Sequence, residues 1–122
     1  MILVDTNVLV DIVSDDPLWG EWSERHLALA AAQDEIAINN IVYAELSLRY
    51  ATIEALNAMI YEARLVSAAV PRPALFLAGK AFQRYRAAGG ATTGVLRDFV
   101  IGAHAVISNA VLITRDAARY RT

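Results

Sequence analysis

The chain has 122 residues, of which 57% are hydrophobic and 20% charged, which is typical of one globular domain and excludes a disordered chain. It has no cysteine, which excludes disulfides and thiolate metal sites and agrees with a reducing cytoplasm. No apolar run reaches the roughly 18 residues of a membrane span, and no signal peptide is expected.

The net charge of −2 hides an uneven distribution along the chain. Residues 1–71 hold eleven acids and three bases, whereas residues 72–122 hold two acids and eight bases. This asymmetry indicates an acidic face and a basic face, and the basic face would suit a phosphate backbone. Ordinary solvated helices explain the same counts equally well.

The first predicted element is a strand over residues 2–4, three apolar residues of the kind buried on both faces of a parallel sheet. Asp5 follows at once, and apolar residues then return at helical spacing from Val8. Asp5 therefore either lies at the carboxyl edge of the sheet, where α/β proteins bind ligands, or simply caps the next helix.

The following elements alternate between helices and strands. Asp16 before Pro17 predicts a helix over residues 16–33 that is capped by Asp16. A second strand is expected over residues 36–38, and a helix over residues 41–50 carries Glu45 near its start. The remaining expectations are a helix over 52–65, a weak strand over 66–70, a helix over 74–88, a loop over 91–94, a helix over 96–107 and a strand over 111–114.

This alternation predicts an α/β sandwich around a parallel sheet. Right-handed crossovers place the carboxyl ends of all its strands at one edge, where the helices that follow them begin. Asp5 and Asp116 follow strands, and Glu45 and Asp98 lie near helix starts. We therefore expect these four carboxylates to converge.

Four converging acids need a counter-charge. Arg97 and Arg115 each adjoin one of them, but neighbours on a helix or strand do not face each other, so we expect neither to pair with its neighbour. Oxygen ligands favour Mg²⁺ or Mn²⁺, and a chain with two histidines and no cysteine disfavours zinc. His104 is six residues from Asp98, so we expect a structural, hydrogen-bonded role for it.

At these positions the chain resembles the PIN-domain ribonucleases, in particular the VapC-type toxins of type II toxin–antitoxin pairs. The resemblance covers essentially the whole chain and implies one PIN domain over residues 1–122, a three-layer sandwich with a short, mainly parallel sheet flanked by helices. The matching pieces are Ile-Leu-Val-Asp-Thr-Asn-Val-Leu at 2–9, Val-Tyr-Ala-Glu-Leu at 42–46, Asp-Phe-Val-Ile-Gly-Ala-His-Ala at 98–105, Leu-Ile-Thr-Arg-Asp at 112–116 and Arg-Tyr-Arg at 119–121.

The resemblance implies a cytoplasmic, homodimeric toxin that hydrolyses RNA with Mg²⁺, or Mn²⁺ as a substitute, and that a separate antitoxin protein blocks. A metal-activated water would attack the phosphodiester, with Glu45 as a ligand or as general base. The implied catalytic and metal-binding residues are Asp5, Glu45, Asp98 and Asp116. Thr6, Asn7 and Thr114 would hold the carboxylates, unless they are ordinary turn or cap residues. The arginines that would contact the RNA backbone are Arg84, Arg86, Arg97, Arg115 and Arg119.

Two departures from the family pattern leave other functions open. Arg97 stands where family members often have proline, and the sequence ends at Thr122, inside a motif that usually continues into a short final strand. A catalytically inactive PIN-like binding module is one alternative. A phosphoaspartyl or receiver-type domain with Asp5 as nucleophile is another. That class requires either an acid two residues on, where Asn7 stands, or a paired acid with an active-site lysine, whereas Lys80, the sole lysine, lies within a helix.

Overall fold

A four-stranded parallel sheet forms the centre of the fold. The structure, a computed structural model, describes residues 1–92 and 94–115. Its strands are β1 (Ile2–Val4), β2 (Ile36–Ile38), β3 (Val66–Ser67) and β4 (Val111–Ile113). They are ordered β3-β2-β1-β4 and every neighbouring pair is parallel. The predicted α/β architecture is confirmed.

Helices connect these strands at nearly the predicted places. They are α1 (Thr6–Val13), α2 (Gly20–Ala31), α3 (Asn40–Leu46), α4 (Ile53–Glu62), α5 (Arg72–Ala87) and α6 (Val95–Ile107), with a 3₁₀ turn at Ser47–Arg49 after α3.

The predicted start of the second helix was wrong. The Asp16 carboxylate accepts hydrogen bonds from the backbone N–H groups of Leu18 and Trp19, at 2.9 and 2.8 Å. These bonds organise a turn of their own, so the α-helix begins only at Gly20. Aspartate side chains compete with the helix for backbone donors in this way, and a cap-like sequence does not distinguish the two outcomes.

The two faces of the sheet pack against different sets of helices. Ile2, Val4, Ile36 and Ile38 share a cluster with large apolar side chains of α1, α3 and α4, because alternate strand residues point to the same face. On the opposite face, Leu3 and Ala37 pack with Ala105 of α6. Helices α5 and α6 meet through a separate small cluster that includes Ala74, Ala78, Val100 and Ala103.

The central position of β1 places its carboxyl end beside that of β4. Val4 pairs with Ile113 in the parallel register, and the Asp5 backbone N–H donates to the Ile113 carbonyl at 2.9 Å. Asp5 and Thr114 thus leave the sheet side by side. Within residues 1–92 and 94–115, no helix is both long and apolar enough to cross a membrane.

Candidate active site

Asp5 lies at the carboxyl end of β1 and is also the N-cap of α1, so the two predicted placements coexist. Its Oδ1 accepts from the Thr6 backbone N–H at 2.7 Å, and its Oδ2 accepts from Thr114 Oγ1 at 3.0 Å. The residue is 1% exposed. Because both oxygens of this buried carboxylate accept hydrogen bonds, its orientation is fixed, as a metal ligand or a general base requires.

Glu45 and Asp98 reach the same place from two helices. Asn39 caps α3 by accepting from the Val42 N–H at 3.0 Å, which fixes the start of the helix that carries Glu45. Thr6 Oγ1 donates to Glu45 Oε1 at 2.6 Å. Asp98 lies in the first turn of α6 and is buried.

The guanidinium of Arg97 lies between these three carboxylates. Its Nη2 is 2.8 Å from Asp5 Oδ1 and 2.8 Å from Glu45 Oε1, its Nε is 2.7 Å from Glu45 Oε2, and its Nη1 donates to Asp98 Oδ1. The expectation that Arg97 does not pair with its sequence neighbour was therefore wrong. The spacing rule concerns Cβ directions, whereas the long arginine side chain folds back over the start of its own helix.

The charge of Arg97 is strongly held. Burial by itself lowers the pKa of Arg97, but the hydrogen bonds and charges of Asp5 and Glu45 outweigh it and raise the pKa above the ordinary arginine value. We refer to Asp5, Glu45, Asp98 and Arg97 as the carboxylate cluster. The convergence of three predicted acids is thus present in the structure, around a cation supplied by the chain.

Most of the other predicted site residues lie on α1, on α5 or outside the described residues. Asn7 is partly buried in the first turn of α1, while Arg84 and Arg86 are exposed in the last turn of α5. Asp116 and Arg119 lie outside the described residues.

Arg115 belongs to a second polar group that the sequence did not suggest. Its Nε is 3.4 Å from Asp11 Oδ2, and its guanidinium carbon is 5.5 Å from the Trp19 ring centroid. Asp11 is 1% exposed and also accepts from Ser23 Oγ at 2.9 Å. We call Asp11, Ser23, Trp19 and Arg115 the Asp11 cluster. The sequence feature that could have indicated this cluster is Asp11 itself, an aspartate among the apolar residues of α1, because a buried carboxylate without a partner is costly.

Comparison with known proteins agrees with this arrangement. Residues 2–122 match the PIN domain family. The chain belongs to the PIN-domain family. The resemblance recognised in the sequence is thereby confirmed. No curated protein sequence matches the chain significantly.

Solved structures of toxin–antitoxin complexes share this PIN fold. VapBC2 from Rickettsia felis, bound to a DNA fragment from its promoter, aligns with a TM-score of 0.73 at 26% identity, covering 99% of this chain and 92% of that chain. VapBC-1 from nontypeable Haemophilus influenzae aligns at 0.72 and 22% identity, covering 99% and 91%. A toxin–antitoxin complex from Klebsiella pneumoniae aligns at 0.71 and 20% identity, with the same two coverages.

The donor set of the PIN domain's carboxylate cluster suits a hard divalent cation. Three carboxylates from β1–α1, α3 and α6 already surround one positive group, and all of their donors are oxygen, as Mg²⁺ and Mn²⁺ prefer. Among the described residues, however, no three His, Asp or Glu side chains stand close enough together to hold a metal directly; the guanidinium of Arg97 lies between the three acids of the cluster.

An open groove of about 870 Å³ runs from this cluster between α5 and α6. Arg97 and Asp98 line one part of it, with Arg84 and Tyr85 from α5, and most of the other lining side chains are apolar. Of the cluster, Arg97 and Asp98 line the groove, whereas Asp5 and Glu45 do not.

Proposed function

We propose that this PIN domain is a Mg²⁺-dependent endoribonuclease and the toxin component of a toxin–antitoxin pair. The observation that carries the proposal is the convergence of Asp5, Glu45 and Asp98 at the carboxyl edge of the sheet, beside an open groove. Asp116, outside the described residues, remains the predicted fourth acid. The substrate would be RNA that lies along the groove, with Arg84 and Arg86 close to its backbone.

The chain's own residues would perform three tasks in this reaction. Asp5, Asp98 and Asp116 would hold the ion, and Thr6 and Thr114 would keep the carboxylates of Glu45 and Asp5 in place through their hydroxyl groups. Glu45, the most exposed of the three described acids, would ligate the ion or accept a proton from the attacking water. When bound, Mg²⁺ would lower the pKa of that water and neutralise charge on the phosphate.

The structural neighbours support a separate antitoxin as partner, because they are toxin–antitoxin complexes of the same fold. We propose a small protein that places an arginine-bearing segment over the acidic site. A homodimer is proposed as well, since Leu48, Ile53 and Tyr61 expose large apolar surfaces between residues 41 and 65. Co-purification of the chain with the product of an adjacent reading frame tests the antitoxin proposal; failure to form a stable complex would contradict it.

The test of the nuclease is Asp98→Asn, which keeps the shape of the side chain and removes one ligand charge. We expect Mn²⁺ binding, measured by calorimetry, and Mg²⁺-dependent cleavage of total RNA to fall by a factor of 100 or more. Asp15→Asn is the matched control, since Asp15 is exposed and has φ 51°, a conformation that asparagine also tolerates.

Each outcome has a defined meaning. Binding and cleavage that persist in Asp98→Asn would place the ion and the chemistry elsewhere. Absence of Mn²⁺ binding in the parent would contradict the metal-dependent nuclease directly. That last result would support an inactive PIN-like binding module, the alternative that the Arg97 ion pairs favour, because they neutralise part of the acidic charge without any metal.

A further inference from the structure

Arg97 makes the most unusual set of contacts in the described part of the chain. Four of the six carboxylate oxygens of Asp5, Glu45 and Asp98 contact its guanidinium: Asp5 Oδ1, both oxygens of Glu45 and Asp98 Oδ1. These contacts come from three separate elements of the fold. A single side chain thus occupies the position where a shared cation would neutralise the cluster.

A metal ion and this guanidinium compete for the same oxygens. Mg²⁺ requires its oxygen ligands at about 2.0–2.1 Å, so an ion with Glu45 among its ligands would have to use an oxygen that Arg97 now contacts, because Arg97 lies against both oxygens of Glu45. A divalent ion beside this half-buried guanidinium would also be repelled by a like charge. Seating both cations among these three acids is therefore strongly unfavourable.

The charge balance nevertheless favours exchange. Among the described residues, the three carboxylates and the guanidinium have formal charges of −3 and +1, so these four side chains sum to −2. A divalent ion neutralises more of this charge than Arg97 does. The side chain of Arg97 is 26% exposed and lines the groove, so it has a route out of the cluster.

We propose that Arg97 is an internal counter-ion that metal binding must displace: the guanidinium holds the acidic cluster together without metal, and moves into the groove when the ion binds. This inference rests on the proposed function, because it assumes a metal at these carboxylates. It adds that the chain itself sets the threshold for metal binding, through a residue adjacent in sequence to one of the ligands.

The first test measures Mn²⁺ affinity by calorimetry for the parent, Arg97→Met and Arg97→Lys. Methionine keeps an unbranched stem without charge, and we expect its Kd to be at least about tenfold lower than that of the parent, a difference of about 1.4 kcal/mol. Lysine keeps the charge but lacks the planar fork that contacts several oxygens, so we expect an intermediate Kd.

Arg25→Met is the matched control for the loss of one positive charge. Arg25 is exposed and paired with Glu21 on α2, so its removal changes the net charge without touching the cluster. We expect its Kd to stay within twofold of the parent. Should Arg97→Met fold only with metal, the Mn²⁺ concentration at half-maximal folding, followed by circular dichroism, replaces calorimetry, and metal-dependent folding itself would agree with the counter-ion role.

The outcomes separate this inference from the proposed function. Equal or weaker Mn²⁺ binding in Arg97→Met would overturn the counter-ion role and leave the metal site standing. No binding in the parent but binding in Arg97→Met would overturn displacement, because Arg97 would then block the site and not yield to the ion. No binding in either protein would overturn both proposals.

A second test uses the unaltered chain. Nitrogen-15 NMR of arginine side chains resolves the Nε–H of Arg97, whose Nε lies 2.7 Å from Glu45 Oε2. On titration with diamagnetic Mg²⁺ we expect this resonance to move towards the position of solvent-exposed arginines, together with shifts of the Asp5 and Asp98 amides. An unmoved Arg97 signal alongside shifted amides would show that the ion binds without displacing the guanidinium.

Discussion

Two acidic clusters lie along helix α1, one at its N-cap and one within it, and they differ in how their charge is balanced. At its start, Asp5 shares Arg97 with Glu45 and Asp98, so acids outnumber the base. Further along, Asp11 is paired with Arg115 and bonded to Ser23. Among the described residues Arg115 forms only this ion pair. In the part of the chain that the structure describes, the excess of negative charge at the first cluster suits an added cation, whereas removal of one partner from the balanced pair would leave the other charge uncompensated.

The largest difference is expected in stability. Asp11→Ala removes the partner of the partly buried Arg115 and the acceptor for the buried Ser23, and we expect the free energy of unfolding in urea to fall by about 2–3 kcal/mol. Asp98→Asn in metal-free buffer is expected to cost less than about 1 kcal/mol, because Arg97 keeps Asp5 and Glu45 and the repulsion between acids decreases. Equal losses in the two variants would remove the distinction between the clusters.

Mn²⁺ affinity is expected to depend strongly on Asp98 and little on Asp11, the opposite of the order expected for stability. Asp11→Ala leaves the carboxylate cluster intact, so its Mn²⁺ affinity, measured at a temperature where the variant remains folded, stays within threefold of the parent. A large loss of Mn²⁺ affinity would show that the Asp11 cluster contributes to the site.

The sequence alone was sufficient for the strands and for the edge at which the acids meet. Runs such as Ile2–Val4 and Ile36–Ile38 are buried on both faces and leave little choice of structure. Chain order and the handedness of crossovers then bring Asp5, Glu45 and Asp98 together. These features depend on local composition and on general rules of topology.

The sequence was insufficient wherever a long side chain chooses between distant partners. Asp11 and Arg115 are separated by most of the chain, and nothing local in either segment indicates the other. The prediction that Arg97 does not pair with its neighbour considered only the orientation of adjacent Cβ atoms, although its guanidinium reaches acids on β1–α1 and α3. At Asp16, a separate turn and a helix cap differ by too little free energy for the sequence pattern to distinguish them.

Thr114 and Arg115 connect the two clusters, because these adjacent residues contact different ones. Thr114→Val keeps the shape of the side chain but removes the hydroxyl that donates to Asp5, so we expect the Mn²⁺ Kd to rise about tenfold. Thr114→Ser retains the hydroxyl and is expected to stay within twofold to threefold of the parent. Equal Kd values for valine and the parent would show that this hydrogen bond does not orient the ligand.

The smallest predicted effect concerns His104, which contacts Asn39, the N-cap of the helix that carries Glu45. His104 is buried, and its Nδ1 is 3.2 Å from Asn39 Nδ2. The Asn39 amide oxygen accepts from Val42 at the start of α3, so its nitrogen must face the histidine as a donor. His104 Nδ1 therefore has to accept, which only the neutral ring can do. The structural, hydrogen-bonded role expected for His104 agrees with these contacts.

Burial lowers the pKa of His104 below the ordinary histidine value. Above about pH 6.5 the ring is neutral in both folded and unfolded chains, so it adds no pH dependence. As the pH falls below that value, the unfolded chain takes up a proton that the folded chain resists, and the free energy of unfolding decreases until the folded pKa is reached.

His104→Gln removes this contribution, while its side-chain oxygen can still accept from Asn39. Urea unfolding between pH 8 and pH 5 should therefore give a shallower loss of stability for His104→Gln than for the parent, by less than about 1.4 kcal/mol per pH unit. His26→Gln, which replaces the other histidine, is the matched control for loss of an imidazole. Identical slopes for the parent and His104→Gln would mean that His104 stays protonated to the same extent in both states, which contradicts a neutral ring buried behind Asn39.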